Sequence, residues 1–291
     1  MIKLINLTDL AKKTWALYVA KFNILVGLMA LPFVLFIISP LLAQTEDFLY
    51  LPFSLLLMVV AFVAMLWGGT ATVIVLDRRE ENLTIKEALT LSQGKLWPVV
   101  WVAIIVCFIV GGASMLFIIP GLILAFYFLF AKIIVITEEE TGMKALVKSR
   151  EYLRGYFWPI VGRYLAIVII STLILAIFNS VASVVTQSTS SFLNSVGREA
   201  LLLVLQTFIN IVIFPLMIIP AYLLYDNVRE VKSDLNFVPS TGLTYLWIGL
   251  AGWVFLGVLI VLAIVVFTTA IGGFLLGAFA TDIFNSQALL K

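Results

Sequence analysis

The side chains best suited to chemistry in this sequence are three arginines near one end of an apolar run. Arg163 lies four residues after Pro159, and Arg150 and Arg154 lie in the charged segment that precedes the run. A guanidinium binds phosphate through paired N–H donors. We therefore predict that Arg150, Arg154 and Arg163 contact an anionic lipid headgroup. The alternative is that Arg163 extends its long stem to the membrane interface and only helps to orient the chain.

Lys132 is a second charge expected within an apolar run. Charged groups inside membrane spans are costly, and they usually face a bundle interior, a partner or a water-filled cavity. If Lys132 and Arg163 point inward, they form a cationic pocket for phosphate, or they take Glu138 or Asp226 as counter-ions. The alternative for Lys132 is the same as for Arg163, a side chain that reaches the interface.

Two residue types that are common in enzyme sites, histidine and cysteine, are absent or nearly absent. The chain has no histidine and a single cysteine, Cys107. This composition excludes an intramolecular disulfide and the usual His/Cys metal sites, and it removes the commonest general base. We interpret the mixed charges of the polar segments as exposed ion pairs. We therefore expect no enzymatic activity, no metal and no cofactor, with an intramembrane enzyme acting on lipid as the remaining alternative. The net charge of only +2 argues against nucleic acid as a partner.

The elements that position these residues are predicted to be membrane-spanning helices. The chain is 63% hydrophobic, and its apolar runs reach the ~20 residues that a helix needs to cross a bilayer. All Lys and Arg residues except Arg198 and Lys291 fall in segments 1–21, 77–96, 132–163 and 226–241. Such basic segments are typical of cytoplasmic loops. We therefore predict a multi-pass protein of the bacterial inner membrane with a cytoplasmic N-terminus.

The predicted fold is an all-α polytopic membrane protein with about six core spans in three hairpins, a C-terminal span and amphipathic interfacial helices. The expected features are an amphipathic helix at 6–21, spans at 22–43 and 51–76, a helix starting at the capping box Thr84–Glu87, a third span from Trp97, a turn at 117–121, an amphipathic helix at 142–156, a span from Phe157 and a span at 201–224. Residues 1–235 form the six-span domain, and 236–291 form the additional C-terminal segment. The run 242–284 is compatible with one span and an interfacial helix, or with two spans.

Polar and small residues within the runs are predicted to hold helices together. Asn179, Gln206 and Asn210 are expected to make interhelical polar contacts. Gly273 and Gly277 form a G-x-x-x-G pair, which we interpret as a helix-packing stripe, with dimerisation as the alternative.

Three segments carry a resemblance to a known family. They are FIIPGLILAFYFLF (117–130), EEETGMKALVKSREYLRGYFWPIVGRYLAI (138–167) and LLYDNVRE (223–230). Together they resemble the membrane domain fused to some glycerophosphodiester phosphodiesterases, and its stand-alone bacterial relatives, over about residues 1–235. The resemblance implies six spans and no catalytic residue, because catalysis in the fused enzymes belongs to a separate soluble barrel. The apolar run from 242 onward departs from that six-span pattern.

The function expected from these observations is that of a non-enzymatic membrane scaffold that binds a partner or lipid headgroups. The lipid bilayer is the expected partner, and its anionic headgroups, a second copy of the chain or another membrane protein are the further alternatives. A small-molecule transporter or channel is the rival class. It would need a polar path across the bilayer, and polar residues deep within the spans are few.

Overall fold

The computed structural model describes residues 4–43, 50–188, 195–232 and 242–288, and every regular element in these ranges is an α-helix. In chain order the helices are α1 (Leu7–Ala20), α2 (Phe22–Ala43), α3 (Tyr50–Asp77), α4 (Ile85–Leu116), α5 (Ile118–Tyr127), α6 (Ala131–Thr137), α7 (Met143–Leu153), α8 (Phe157–Ser188), α9 (Ser195–Ile213), α10 (Pro215–Val231) and α11 (Leu243–Ala288). The described residues divide into two compact units. The first comprises those of Met1–Val106 and Phe126–Gly242, and the second comprises those of Cys107–Ala125 and Leu243–Lys291.

Within the described residues, six segments are long and apolar enough to cross a membrane. They are Pro52–Asp77, Ile85–Leu116, Ile118–Thr137, Phe157–Ser188, Gly197–Val231 and Leu243–Ile264. The pair α1 and α2, bent by 79° between them, adds a seventh if it is counted as one span. The chain is therefore an all-α, polytopic helical membrane protein, as its composition predicts.

Several predicted boundaries are confirmed. The amide of Thr84 donates to Glu87 Oε2 at 2.8 Å, and the amide of Glu87 donates to Thr84 Oγ1 at 3.3 Å. This capping box starts α4 as expected. Helix α4 ends at Leu116, and α5 begins at Ile118. A Cβ built on Gly121 would lie 2.8 Å from the Cα of Ser114, so the chain turns back within the predicted segment 117–121.

Other boundaries differ from the prediction. The amphipathic helix after Thr84 and the third span are one continuous helix, α4, with Pro98 inside it. A single proline removes one backbone hydrogen bond, which a long helix can tolerate. Helices α9 and α10 are separated only by Phe214 and together form the single segment Gly197–Val231, which contains the predicted sixth span 201–224. The C-terminal run, for which one or two spans were compatible, is the single helix α11 over its described backbone.

The second unit packs α11 against the end of α4 through glycines. A Cβ on Gly252 would lie 2.8 Å from the Cα of Gly112, and a Cβ on Gly249 would lie 3.0 Å from the Cα of Ile109. Trp253 completes the contact, because its Nε1 donates to the carbonyl of Phe108 at 3.0 Å. Close backbone approach through small residues is a common way for membrane helices to associate.

Ser149 of α7 stabilises the break between α5 and α6 in the first unit. Its Oγ donates to the carbonyl of Tyr127 at 2.7 Å and accepts the amide of Phe130 at 3.2 Å. These are backbone groups that the interrupted helix leaves without a helical partner. Ser149 is fully buried, so water cannot easily replace its hydroxyl at these two groups.

We expect Ser149→Ala to lower the thermal unfolding midpoint of the protein in detergent micelles. The change leaves two buried backbone groups unsatisfied, at a cost of about 1–3 kcal/mol. The matched control is Ser180→Ala, because the Ser180 hydroxyl is exposed and bonds only to the carbonyl of Ala176 in its own helix. Equal midpoints for the two variants would contradict this role of Ser149.

Candidate functional site

Contacts join the four basic segments at one end of the first unit, which we call the charged face. It comprises α1 and residues 77–96, 137–156 and 222–232. Lys21 Nζ donates to the carbonyl of Glu81 at 2.8 Å, and Lys232 Nζ donates to the carbonyl of Arg154 at 2.8 Å. The basic segments that the sequence separates therefore lie together, as expected of segments on the same side of a membrane.

Glu138, the residue that follows α6, is the centre of this face. Its Oε1 accepts the hydroxyls of Tyr225 at 2.6 Å and of Tyr152 at 2.8 Å, and its Oε2 lies 2.5 Å from Lys148 Nζ. The Glu138 side chain is only 9% exposed. Thr137 Oγ1 lies 2.8 Å from the same Tyr225 hydroxyl. One carboxylate thus links α6, α7 and α10.

The surroundings of Glu138 stabilise its charged form. Burial alone would raise the pKa of this carboxyl, but the hydrogen bonds from Lys148, Tyr225 and Tyr152 outweigh burial and lower the pKa. The pKa of Tyr152 is raised, first by burial and then by its hydrogen bond to the Glu138 carboxylate. At neutral pH the network therefore consists of an ionised carboxylate and protonated tyrosines, an arrangement that holds helices together.

The segment Tyr225-Asp226-Asn227 connects α10 to three separate parts of the chain. Tyr225 reaches Glu138, as described above. Asp226 Oδ2 lies 3.4 Å from Arg79 Nη1 at the end of α3, and Asn227 Oδ1 accepts the amide of Ile5 at 2.9 Å. Each polar side chain of the segment is therefore used in packing. This accounts physically for the motif that the sequence singled out at the end of the sixth span.

A cavity of about 660 Å³ lies between α1 and α10 on the charged face. Its polar wall consists of Lys13, Arg79, Asp226, Asn227 and Glu230, and its apolar wall consists of Ile5, Ala16, Leu17, Ala20 and Leu223. The polar wall carries two positive and two negative side chains, so its net charge is zero. A cavity with charged groups on one side and aliphatic groups on the other fits an amphipathic ligand, whose ionic headgroup and hydrocarbon need different surroundings.

The predicted arginine contacts lie at the same end of the first unit. Arg163 Nη1 donates to the carbonyl of Pro159 in its own helix at 3.1 Å. Arg154 Nη1 lies 3.5 Å from Glu151 Oε2 with its side chain mostly exposed, and Arg150 is exposed. The guanidinium groups of Arg154 and Arg163 are each engaged locally.

The counter-ions proposed for Lys132 and Arg163 have other partners. Glu138 pairs with Lys148 and Asp226 pairs with Arg79, so neither carboxylate serves Lys132 or Arg163. The expectation of exposed ion pairs is confirmed for Arg78 and Glu81, but it is wrong for the largely buried pair of Glu138 and Lys148.

The predicted polar contacts within the spans take varied forms. Asn210 Nδ2 donates to the carbonyl of Gln206, one turn earlier in α9, at 2.7 Å. This bond lies within a helix and not between helices. The Oδ1 of Asn179 is buried without a hydrogen-bond partner among the described groups. Gly273 and Gly277 lie in α11, and their surroundings fall outside the described residues.

The sequence interpretation missed the glycines that the structure places in close packing. Gly112, Gly249 and Gly252 meet in the second unit. The signal was present as Gly249-Leu250-Ala251-Gly252, a pair of glycines one turn apart. The two glycines are three residues apart, so a search for G-x-x-x-G spacing does not find them.

Among the described residues, no cluster of three or more His, Cys, Asp or Glu side chains could hold a metal ion. The chain matches no family model, no curated protein and no solved structure.

Proposed function

We propose that this chain is a non-enzymatic membrane module that binds phospholipid headgroups on its charged face. The cavity between α1 and α10 carries this proposal. Lys13 and Arg79 provide cations for a phosphate, and Asp226 and Glu230 provide anions for the ammonium of a zwitterionic headgroup. Phosphate is common to zwitterionic and anionic phospholipids, so it is the group that we expect to be recognised.

The position of α1 supports a lipid ligand. This helix lies at 79° to α2, so if α2 crosses the membrane, α1 lies along the surface. Its buried side packs Leu10, Thr14 and Tyr18 against the bundle, whereas Trp15 is 61% exposed beside Lys12. A helix with an exposed aromatic residue and basic flanks is typical of the lipid interface. Such a helix would cover the cavity from the headgroup side.

The arginines predicted from the sequence form a second candidate contact for the same chemistry. Trp158, which lies between Arg154 and Arg163 in the sequence, is 76% exposed. Exposed tryptophans favour the headgroup region. We propose that these arginines attract anionic headgroups to the surface, while the cavity holds one lipid in place.

We further propose that the charged face is cytoplasmic and that the membrane is the bacterial inner membrane. The support is the concentration of Lys and Arg on this face. The resemblance to the membrane domain of the phosphodiesterase family agrees with this location. It also agrees with a non-enzymatic role, and family membership itself stays a prediction.

Single cysteines test the orientation. In a Cys107→Ala background, we expect Asn82→Cys to react with an impermeant maleimide only from the cytoplasmic side, because the 77–84 segment belongs to the charged face. Ser190→Cys should react only from the outside. Reaction of Asn82→Cys in intact spheroplasts, before the membrane is opened, would sink this topology.

Lipid retention tests the headgroup proposal. We expect the double variant Lys13→Met/Arg79→Met to copurify with at least one phospholipid fewer per protein than wild type, measured as lipid phosphorus after exhaustive detergent exchange. The matched control is Lys86→Met, which removes an exposed cation of the charged face outside the cavity wall. Arg163→Lys and Arg163→Leu test the second contact, since a point charge replaces a guanidinium poorly at a phosphate. Equal phosphorus in all these variants would refute headgroup binding at both places.

A further inference from the structure

Lys132 is a charged residue within a membrane span, and it takes no part in the ion pairs of the charged face. It lies in α6, five residues before Thr137, which places it about 8 Å from the end of the helix at 1.5 Å per residue. The four residues after it, Ile133 to Ile136, are all buried. The side chain itself is partly buried. Lys132 therefore sits in the packed region of the first unit rather than on its polar surface.

The ammonium of Lys132 lies against a notch in α3. A Cβ built on Gly69 would be 2.5 Å from Lys132 Nζ and 4.0 Å from Ile218 Cδ1 of α10. Only glycine at position 69 leaves room for the ammonium in this place. The next residue of α3, Thr70, is fully buried and bonds to the carbonyl of Leu66 in its own helix. The ammonium of Lys132 therefore occupies the place that a side chain at position 69 would fill, and no acidic side chain is among the atoms nearest to that place.

The acidic residues closest to this region along the chain have other partners. Glu138 is taken by Lys148 and two tyrosine hydroxyls, and Asp77 Oδ1 accepts the hydroxyl of Tyr222 at 3.1 Å. None of the ion pairs or hydrogen bonds found among the described residues includes the Lys132 ammonium. An ammonium in such surroundings without a counter-ion is strongly unfavourable. A bound anion would remove that cost.

We propose that Lys132 and the notch at Gly69 form an intramembrane site for one anionic oxygen group, such as a phosphate. The group would enter from the charged end of α6, the nearer end of the span. Two sources share this chemistry, a lipid headgroup that reaches between the helices and a soluble oxyanion. The site is separate from the cavity between α1 and α10, whose lining does not include Lys132. It therefore goes beyond the proposed function and does not depend on it.

The test measures the thermal unfolding midpoint of the full chain against anion concentration in two arms. In one arm, inorganic phosphate replaces chloride at constant ionic strength in a neutral detergent. In the other arm, nanodiscs contain phosphatidylcholine with increasing phosphatidylglycerol. We expect the wild-type midpoint to rise in at least one arm. A rise only with phosphatidylglycerol identifies a lipid headgroup, and a rise only with inorganic phosphate identifies a soluble anion.

Variants connect the effect to Lys132. We expect Lys132→Met to weaken the apparent anion affinity at least tenfold, with an unliganded midpoint no lower than that of wild type. Gly69→Ala should also weaken the anion affinity, because the new methyl group displaces the ammonium of Lys132. The displaced group is the flexible end of a side chain, so this variant should fold, and it serves as the test if Lys132→Met does not fold. Lys144→Met, which removes an exposed cation of α7, is the control. Equal anion dependence in wild type and both site variants, or no dependence of wild type in either arm, would overturn the proposal. Lys13→Met/Arg79→Met should leave this response intact, which separates the two sites.

Discussion

Replacing Glu138 by glutamine should cost the protein about 3 kcal/mol of stability, because it leaves the largely buried Lys148 ammonium without its main counter-ion. The amide also replaces one of the two acceptor oxygens by a donor, which must face either the Lys148 ammonium or the two tyrosine hydroxyls. We expect a clearly lower thermal unfolding midpoint in micelles at neutral pH. Glu140→Gln is the control, since Glu140 lies 3.9 Å from the same ammonium with a more exposed side chain, and it should shift the midpoint little.

The advantage of wild type over Glu138→Gln should depend on pH. The pKa of Glu138 is lower in the folded state than in the unfolded state. The stability it contributes is therefore complete above the ordinary carboxyl pKa of about 4.3 and is lost as the pH falls through the lower folded value. Other carboxyls titrate equally in both proteins. A gap between the two midpoints that stays constant from pH 7 to pH 3 would contradict the ionised network.

Replacing Gly252 by leucine should separate α11 from the end of α4. The new Cβ would meet the backbone of Gly112, which cannot move aside as a side chain can. We expect the free energy of unfolding to fall by about 3 kcal/mol, at the upper end for overpacking. The hydrogen bond between Trp253 and Phe108 should also be lost. The measurement is the unfolding midpoint together with the protease sensitivity of the region after Gly242.

Gly257 provides the matched control for this change. It lies in the same helix, and no heavy atom comes within 4 Å of a Cβ built on it. Gly257→Leu should therefore leave the midpoint and the protease pattern unchanged. If Gly252→Leu behaves like Gly257→Leu, the glycine contact does not hold α11 to α4.

The sequence predicts the spans because each depends only on a local property. The bounds of α2 match the predicted 22–43, and the capping box at Thr84 starts α4, since both follow from short runs of residues. The continuity of α4 through Pro98 was missed. Helix α4 continues through Pro98 because the proline removes only one backbone hydrogen bond. Ending the helix there would leave several backbone groups in need of other partners.

The charged face illustrates what sequence reasoning could not supply. Glu138, Lys148 and Tyr225 come from three segments, and nothing in their spacing along the chain shows that they meet. The sequence of such a loop does not show which side chains are buried, so it does not distinguish Glu138 from the exposed Glu139 and the partly exposed Glu140 beside it. The role of Ser149 cannot be predicted from the sequence either, because it depends on the break between α5 and α6, which lies elsewhere in the chain.

Photo-crosslinking with a phospholipid that carries a diazirine in its headgroup tests headgroup binding at the charged face most directly. After irradiation of the reconstituted protein, we predict crosslinked peptides from α1 and from the end of α10, the two walls of the cavity. An excess of unlabelled phospholipid should suppress them, and Lys13→Met/Arg79→Met should lose them. Crosslinks spread evenly over all helix ends, with no enrichment at α1 and α10 and no change in the double variant, would contradict a phospholipid headgroup site on this face.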